Sequence, residues 1–140
     1  MTVKTEQEKL HYINTECNTH YTSLDEVDWE MISQHKILSE EFIREFSDKV
    51  DWFCISQDQS LSEEFIREFS DKVEWHKISA CQTLSTNFIQ EFQIELDWYS
   101  ISKYQKLSEE FIREFSTKVD WYYISMHQTL SEDFIRELTL

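Results

Sequence analysis

This 140-residue sequence predicts an all-α protein, an α-solenoid of five 23-residue, two-helix repeats behind an N-terminal capping helix. Three observations carry that prediction. Trp29, Trp52, Trp75, Trp98 and Trp121 stand 23 residues apart without a slip. The string LSEEFIREFSDKVDW, from Leu38 to Trp52, returns from Leu61 and from Leu107 with one change in fifteen each time. Looser copies begin at Leu84 and Leu130. Gly and Pro are both absent, which removes the punctuation that hairpins and extended linkers need. A fixed period of this size, without insertion, marks a stacked array whose units bury their apolar faces only against neighbours.

Residues 1–27 read as the cap, with a helix from Thr5 to Tyr21, and residues 28–140 as the array, together one domain. Leu10, Ile13, Cys17 and Tyr21, followed by Leu24, share a face at three- and four-residue steps. Glu6, Glu8, Lys9, Asn14 and Glu16 make the other face polar, as a cap's outer side must be.

Within each repeat two helical signals follow one another. The first opens at an acidic residue (Asp28, Asp51, Glu74, Asp97, Asp120) and continues W-x-x-I-S; aspartate is a good N-cap. The second opens at Ser39, Ser62, Ser85, Ser108 or Ser131, mostly followed by acidic residues that suit the positive end of the helix dipole. Phe42, Ile43, Phe46 and Val50 then form a stripe at helical spacing. The expectation is a helix of about two turns and one of about three, joined by short turns. The repeat core is expected from the five tryptophans with Phe42, Phe65, Phe88, Phe111 and Phe134. On the polar side, Glu40 precedes Arg44 and Glu45 precedes Lys49 by four, the better orientation for ion pairs within a solvated helix face.

Composition narrows the function classes. A net charge of −15 disfavours nucleic acid and anionic membranes, and favours a basic partner if charge guides association. Three cysteines at unrelated repeat positions imply no disulfide framework. The start MTVKTEQEKL lacks the apolar segment of a signal peptide, and no apolar run approaches the ~18 residues of a membrane span. An intracellular, non-secreted protein is expected. His11, Cys17 and His20 on the cap make no metal-ligand pattern, so no metal and no cofactor are expected.

Residues present in every unit serve packing or capping by default. Ser125 and His127 look like a nucleophile and base, but the equivalent Ser33, Ser56, Ser79 and Ser102 have no consistent His or Asp neighbour. No enzyme is expected. The repeated serine predicts a bond to a carbonyl one turn back, or close approach of adjacent helices. Gln59, Gln82, Gln105 and Gln128, with Lys36 in the first unit, predict either a ladder of side-chain amides or a contact to a helix C-terminus.

The variable positions point to function. One and two after each Trp, and five and six after, the first helix carries Phe53, His76, Tyr99, Tyr104, Tyr122, Tyr123 and His127. Varied and partly aromatic side chains in a row on a rigid scaffold suit a recognition surface. Ile94, where other units have Asp or Thr, adds an apolar residue to a polar face in mid-array. The final Leu138-Thr139-Leu140, with no polar cap after it, predicts an open edge that invites self-association.

The strings DW-x-x-IS-x-x-Q-x-LSEEFIREF and their variants, covering Asp28 to Leu140, resemble the 23-residue helical repeats of uncharacterised proteins of giant DNA viruses that infect amoebae. The resemblance implies a viral source, with host cytoplasm or virion as the setting, and carries over no functional residues. The expected function is therefore a non-enzymatic scaffold binding another protein through the first-helix face. A self-assembling structural protein is the alternative, and an acidic mimic of nucleic acid a third.

Overall fold

A computed structural model describes residues 3–139, so Met1 and Thr2 of the expected cap and Leu140 of the expected open edge lie outside the described residues. Among these, the regular elements are α1 (Glu6–Cys17), a 3-10 turn (Leu24–Glu26), α2 (Trp29–His35), α3 (Glu40–Glu45), α4 (Trp52–Asp58), α5 (Glu63–Glu68), α6 (Trp75–Cys81), α7 (Thr86–Glu91), α8 (Trp98–Tyr104), α9 (Glu109–Glu114), α10 (Trp121–His127) and α11 (Glu132–Leu138). They form two compact units, one ending at Leu61 and the other beginning at Ser62. The protein is all-α and built of solenoid-type repeats.

The cap helix is shorter than its apolar spacing predicts. Thr5 opens α1 with a capping box to Glu8, and Asn18 closes it in the left-handed region at φ 52°. The helix therefore does not reach Tyr21. Instead the Asn14 amide holds the following loop, donating to the Tyr21 carbonyl and accepting from its N–H, both at 2.9 Å. Leu10, Ile13 and Cys17 are buried as expected, whereas Tyr21 and Leu24 arrive from the loop and are half-buried.

The second helix of each repeat is also shorter than expected. The α3 helix has six residues and ends at Phe46, whose φ −107° and ψ 29° leave the helical region. A tight turn follows, closed by the Val50 N–H to the Phe46 carbonyl at 3.0 Å. That turn preserves a four-residue step, so Phe42, Ile43, Phe46 and Val50 are all buried although the helix does not span them. Its use is visible at the next tryptophan. The Trp52 indole N–H donates to the Ser47 carbonyl at 2.8 Å, and Trp75, Trp98 and Trp121 bond at the same five-residue offset.

The phenylalanine core is as predicted: Phe42, Phe65, Phe88, Phe111 and Phe134 are all buried. The tryptophans occupy a different place from that expected of core residues. Trp29, Trp52, Trp75 and Trp98 are half-buried and Trp121 is 37% exposed. Their rings lie over phenylalanine pairs, Trp29 over Phe42 and Phe46, Trp75 over Phe88 and Phe92. An indole whose N–H must reach a carbonyl sits naturally at such a boundary.

All five serine N-caps of the second helices accept from the backbone N–H three residues on, at 3.1–3.2 Å. The acidic N-caps of the first helices are less uniform. Asp28, Asp51 and Asp120 cap their helices, but Glu74 and Asp97 make no cap bond. The Asp97 carboxylate takes the Ser100 hydroxyl instead, at 2.6 Å.

The invariant serine and the recurrent glutamine are clamps between repeats. Ser79 Oγ donates to the Trp75 carbonyl at 2.7 Å, the expected bond one turn back, and also accepts the Asp97 N–H of the next repeat at 2.9 Å. Ser33 and Ser102 accept from Asp51 and Asp120 in the same way. Gln105 Nε2 donates to the Ser79 and Gln82 carbonyls at 2.8 and 2.7 Å, and its Oε1 accepts the Leu84 N–H at 3.2 Å. Gln59 and Gln128 repeat this pattern. The glutamines therefore read the backbone at the end of the preceding repeat's first helix, supplying partners that a helix C-terminus lacks.

The second-helix face is less uniformly solvated than its charges predict. Glu63 accepts the Ser85 N–H and hydroxyl at 2.7 and 2.8 Å, and Arg67 pairs with Glu91 at 2.8 Å. Glu109 and Arg113 hold Ser131 and Glu137 identically. The Ser131 hydroxyl beside it keeps the Glu109 carboxyl below the ordinary glutamate value. In the cap, Lys4 plays the part of the arginine, pairing with Glu45 at 2.8 Å, while Tyr12 packs on Phe42. At the third repeat both groups are replaced, by Thr86 and Gln90. Among the described residues its seam with the fourth repeat has neither bond, and Ser108 and Glu114 go without these partners. The double variant Thr86→Glu/Gln90→Arg is expected to raise the melting temperature by a few degrees and to slow amide exchange in α9. Unchanged exchange there would show that the seam bonds do not bear on stability.

Candidate functional site

In the second unit, α8 packs between α6 and α10. The isoleucine of the W-x-x-I-S string points inward in both α8 and α10, with Ile101, Ser102 and Ile124 buried, while Ser125 of α10 is exposed. Helical geometry then turns the residues one and five after each tryptophan outward together, one turn apart. In α8 these are Tyr99 and Lys103, and in α10 Tyr122 and Met126.

The rings on α8 and α10 form one cluster. The Tyr99 and Tyr123 hydroxyls bond at 2.8 Å with ring centroids 4.4 Å apart, edge to face. Tyr122 meets Tyr123 edge-on at 5.0 Å, and the His127 ring stacks on Tyr123 at 5.9 Å. The Lys103 ammonium lies 5.8, 5.0 and 5.5 Å from the ring centroids of Tyr99, Tyr104 and Tyr123, within cation–π range. The Tyr104 hydroxyl beside it holds Lys103 above the ordinary lysine value. The bond to Tyr99 pushes the Tyr123 phenol up to about 12. A cleft of about 340 Å³ adjoins the cluster, lined by Lys103, Tyr104, Lys106, His127 and Gln128 among others.

Of the residues singled out from sequence, the structure brings together Tyr99, Tyr104 and Tyr123 around Lys103, and Tyr122 and His127 against Tyr123. Tyr104 and Tyr122 stay most open, at 55% and 64% exposure. His76 stands one repeat earlier on α6, beside Glu74 at 3.9 Å. Phe53 belongs to the first unit, exposed on α4. Ile94, 87% exposed, sits in the turn after α7 and not on its helical face, apart from the cluster. Lys103 and Met126 stand at the variable positions five after Trp but were not named as expected contacts, and Lys106 lies outside those positions. The signal for Lys103 was its place five after Trp98, one turn beyond Tyr99.

Ser125 donates its proton to the Tyr122 carbonyl at 2.8 Å, and His127 is committed to stacking. Burial pushes the Cys17 and Cys54 thiols up to about 11, away from reactivity. Among the described residues no His, Cys, Asp and Glu cluster could hold a metal ion, and no helix is long and apolar enough to cross a membrane. A second concavity, of about 470 Å³, lies between cap and first repeat around Trp29, with Lys9 and Lys49 facing Glu6, Asp25, Glu45 and Asp48. It is a joint between packed elements. Compared with family models, curated proteins and solved structures, the chain matches none.

Proposed function

We propose that the protein is a non-enzymatic scaffold that binds another protein through the first-helix face, with the tyrosine cluster of the fourth and fifth repeats as the principal contact. The observation that carries this reading is the exposed ring cluster locked by its own contacts. Aromatic side chains held in place before binding lose little freedom on contact, which suits an interface anchor. Large apolar rings kept exposed together are otherwise disfavoured. The resemblance of the repeat strings supports a viral source, with host cytoplasm or virion as the setting.

The test uses the protein as bait beside its Tyr104→Ala and Tyr122→Ala variants. Each substitution is expected to move stability by no more than about 0.5 kcal/mol, as exposed positions do. Each is also expected to lose the partner retained by the unsubstituted chain. Retention of every partner by both variants would refute the surface.

Self-association is a second reading, favoured by Ile135 and Leu138, which stand exposed on α11. Mass that rises with concentration in light scattering would support it. A constant monomer mass would remove it.

A further inference from the structure

We infer that the tyrosine cluster receives an acidic segment of its partner, one carrying Asp or Glu carboxylates beside an aromatic or aliphatic side chain. The inference rests on the scaffold reading and adds the chemistry of the occupant.

Charge is segregated along the array as a whole. From each tryptophan to the residue before the Leu-Ser pair, the five segments hold Lys36, Lys77, Lys103 and Lys106 against Glu30 and Asp58. That is a balance of +2 in a chain of −15, so the whole acidic excess lies on the second helices, caps and cap helix. The segments 98–106 and 121–129, which build the cluster, contain two lysines and a histidine and no acidic residue. The flanking carboxylates are already engaged. Asp97 accepts from the Ser100 hydroxyl, and Asp120 from the N–H groups of Tyr122 and Tyr123.

A basic segment fits poorly here. The ring faces that would receive its cation hold Lys103 already, and Lys106 repels it at the adjoining cleft. A carboxylate meets the opposite situation. Three rings fix the Lys103 ammonium, so pairing with it orders little that is not ordered beforehand. The exposed Tyr104 and Tyr122 hydroxyls can donate to a second oxygen. Met126 and the Tyr122 ring offer apolar area to the neighbouring side chain, both being more than half exposed. Long-range repulsion from the acidic second helices slows every acidic segment, so pairing with the two lysines at this face sharpens selection more than it adds affinity.

The test is fluorescence anisotropy with two short labelled peptides, one alternating Glu and Phe, the other alternating Lys and Phe. The Glu/Phe peptide is expected to bind the full chain. Its Kd is expected to rise by about tenfold or more in Lys106→Glu and in Lys103→Gln. Among the described residues Lys106 makes no ring contact, so its variant keeps the test valid if Lys103→Gln loosens the cluster. Equal or tighter binding of the Lys/Phe peptide would overturn the inference, as would a Glu/Phe affinity indifferent to Lys106→Glu or no Glu/Phe binding at all. If the Lys/Phe peptide binds and Tyr122→Ala abolishes it, the acidic occupant fails while the scaffold reading stands. Loss of the scaffold reading is read separately, in the bait comparison, which does not depend on the partner's charge.

Discussion

Replacing Gln105 by alanine is expected to destabilise the protein by about 3–5 kcal/mol. The side chain is buried and makes three bonds, two to carbonyls of the preceding repeat and one from the Leu84 N–H. Each buried polar group left unpaired costs about 1–3 kcal/mol. Water entering the space left by the amide would recover part of that, which sets the total below the simple sum. Alanine also cannot fill the volume, so the two repeats lose a shared anchor. Denaturant unfolding measures the effect directly, as a fall in midpoint at constant slope. A loss under about 1 kcal/mol would show that the clamp is replaceable by solvent. Gln128→Ala serves as the internal comparison. Its bonds are the same in kind, but the side chain is only half-buried, so a smaller loss is expected there.

Phe88→Ala is expected to cost a similar amount, about 3–5 kcal/mol, by a different mechanism. Phe88 has no exposed surface, packs on Phe92 at 4.6 Å and lies under the Arg67 guanidinium at 5.3 Å. Truncation removes the ring's transfer free energy and leaves a cavity that short helices clamped at both ends cannot collapse into. Ile94→Ser, only six residues on but 87% exposed, is expected to change stability by less than about 0.5 kcal/mol. If the two substitutions proved equally damaging, the division between core and surface drawn here would fail.

The repeat period, the serine caps and the burial of the phenylalanines were legible in the sequence because each depends on spacing within one repeat. The length of the second helix was not. Val50 follows Phe46 by four residues whether the chain is helical or turned, so the apolar pattern cannot separate the cases. The glutamine clamp was half legible. Its recurrence announced a role, but its partners are backbone groups 21–26 residues earlier, which leave no side-chain signal. The ion pairs were hidden for a related reason. Arg67 has Glu63 four away on its own helix, yet it bonds Glu91, 24 residues on. At the candidate site the tyrosines stood out by type and position. The seating of Lys103 among three rings did not, because those rings come from two repeats.

The clamps have a consequence for how such a chain can change in length. Each ties residues at fixed separations, 18 for the Ser79–Asp97 bond and 23 for the Gln105–Gln82 bond. A single inserted residue between the tied groups puts one of them on the wrong side of its helix, so small insertions and losses there are expected to break the joint. Duplication or loss of a whole 23-residue block leaves every separation intact. Excision of residues 75–97 would set Glu63 and Arg67 beside Ser108 and Glu114, rebuilding the arrangement found between the second and third repeats. Chain length is thereby quantised, and near-identical blocks are interchangeable parts from which longer or shorter versions can be assembled without redesign of any joint.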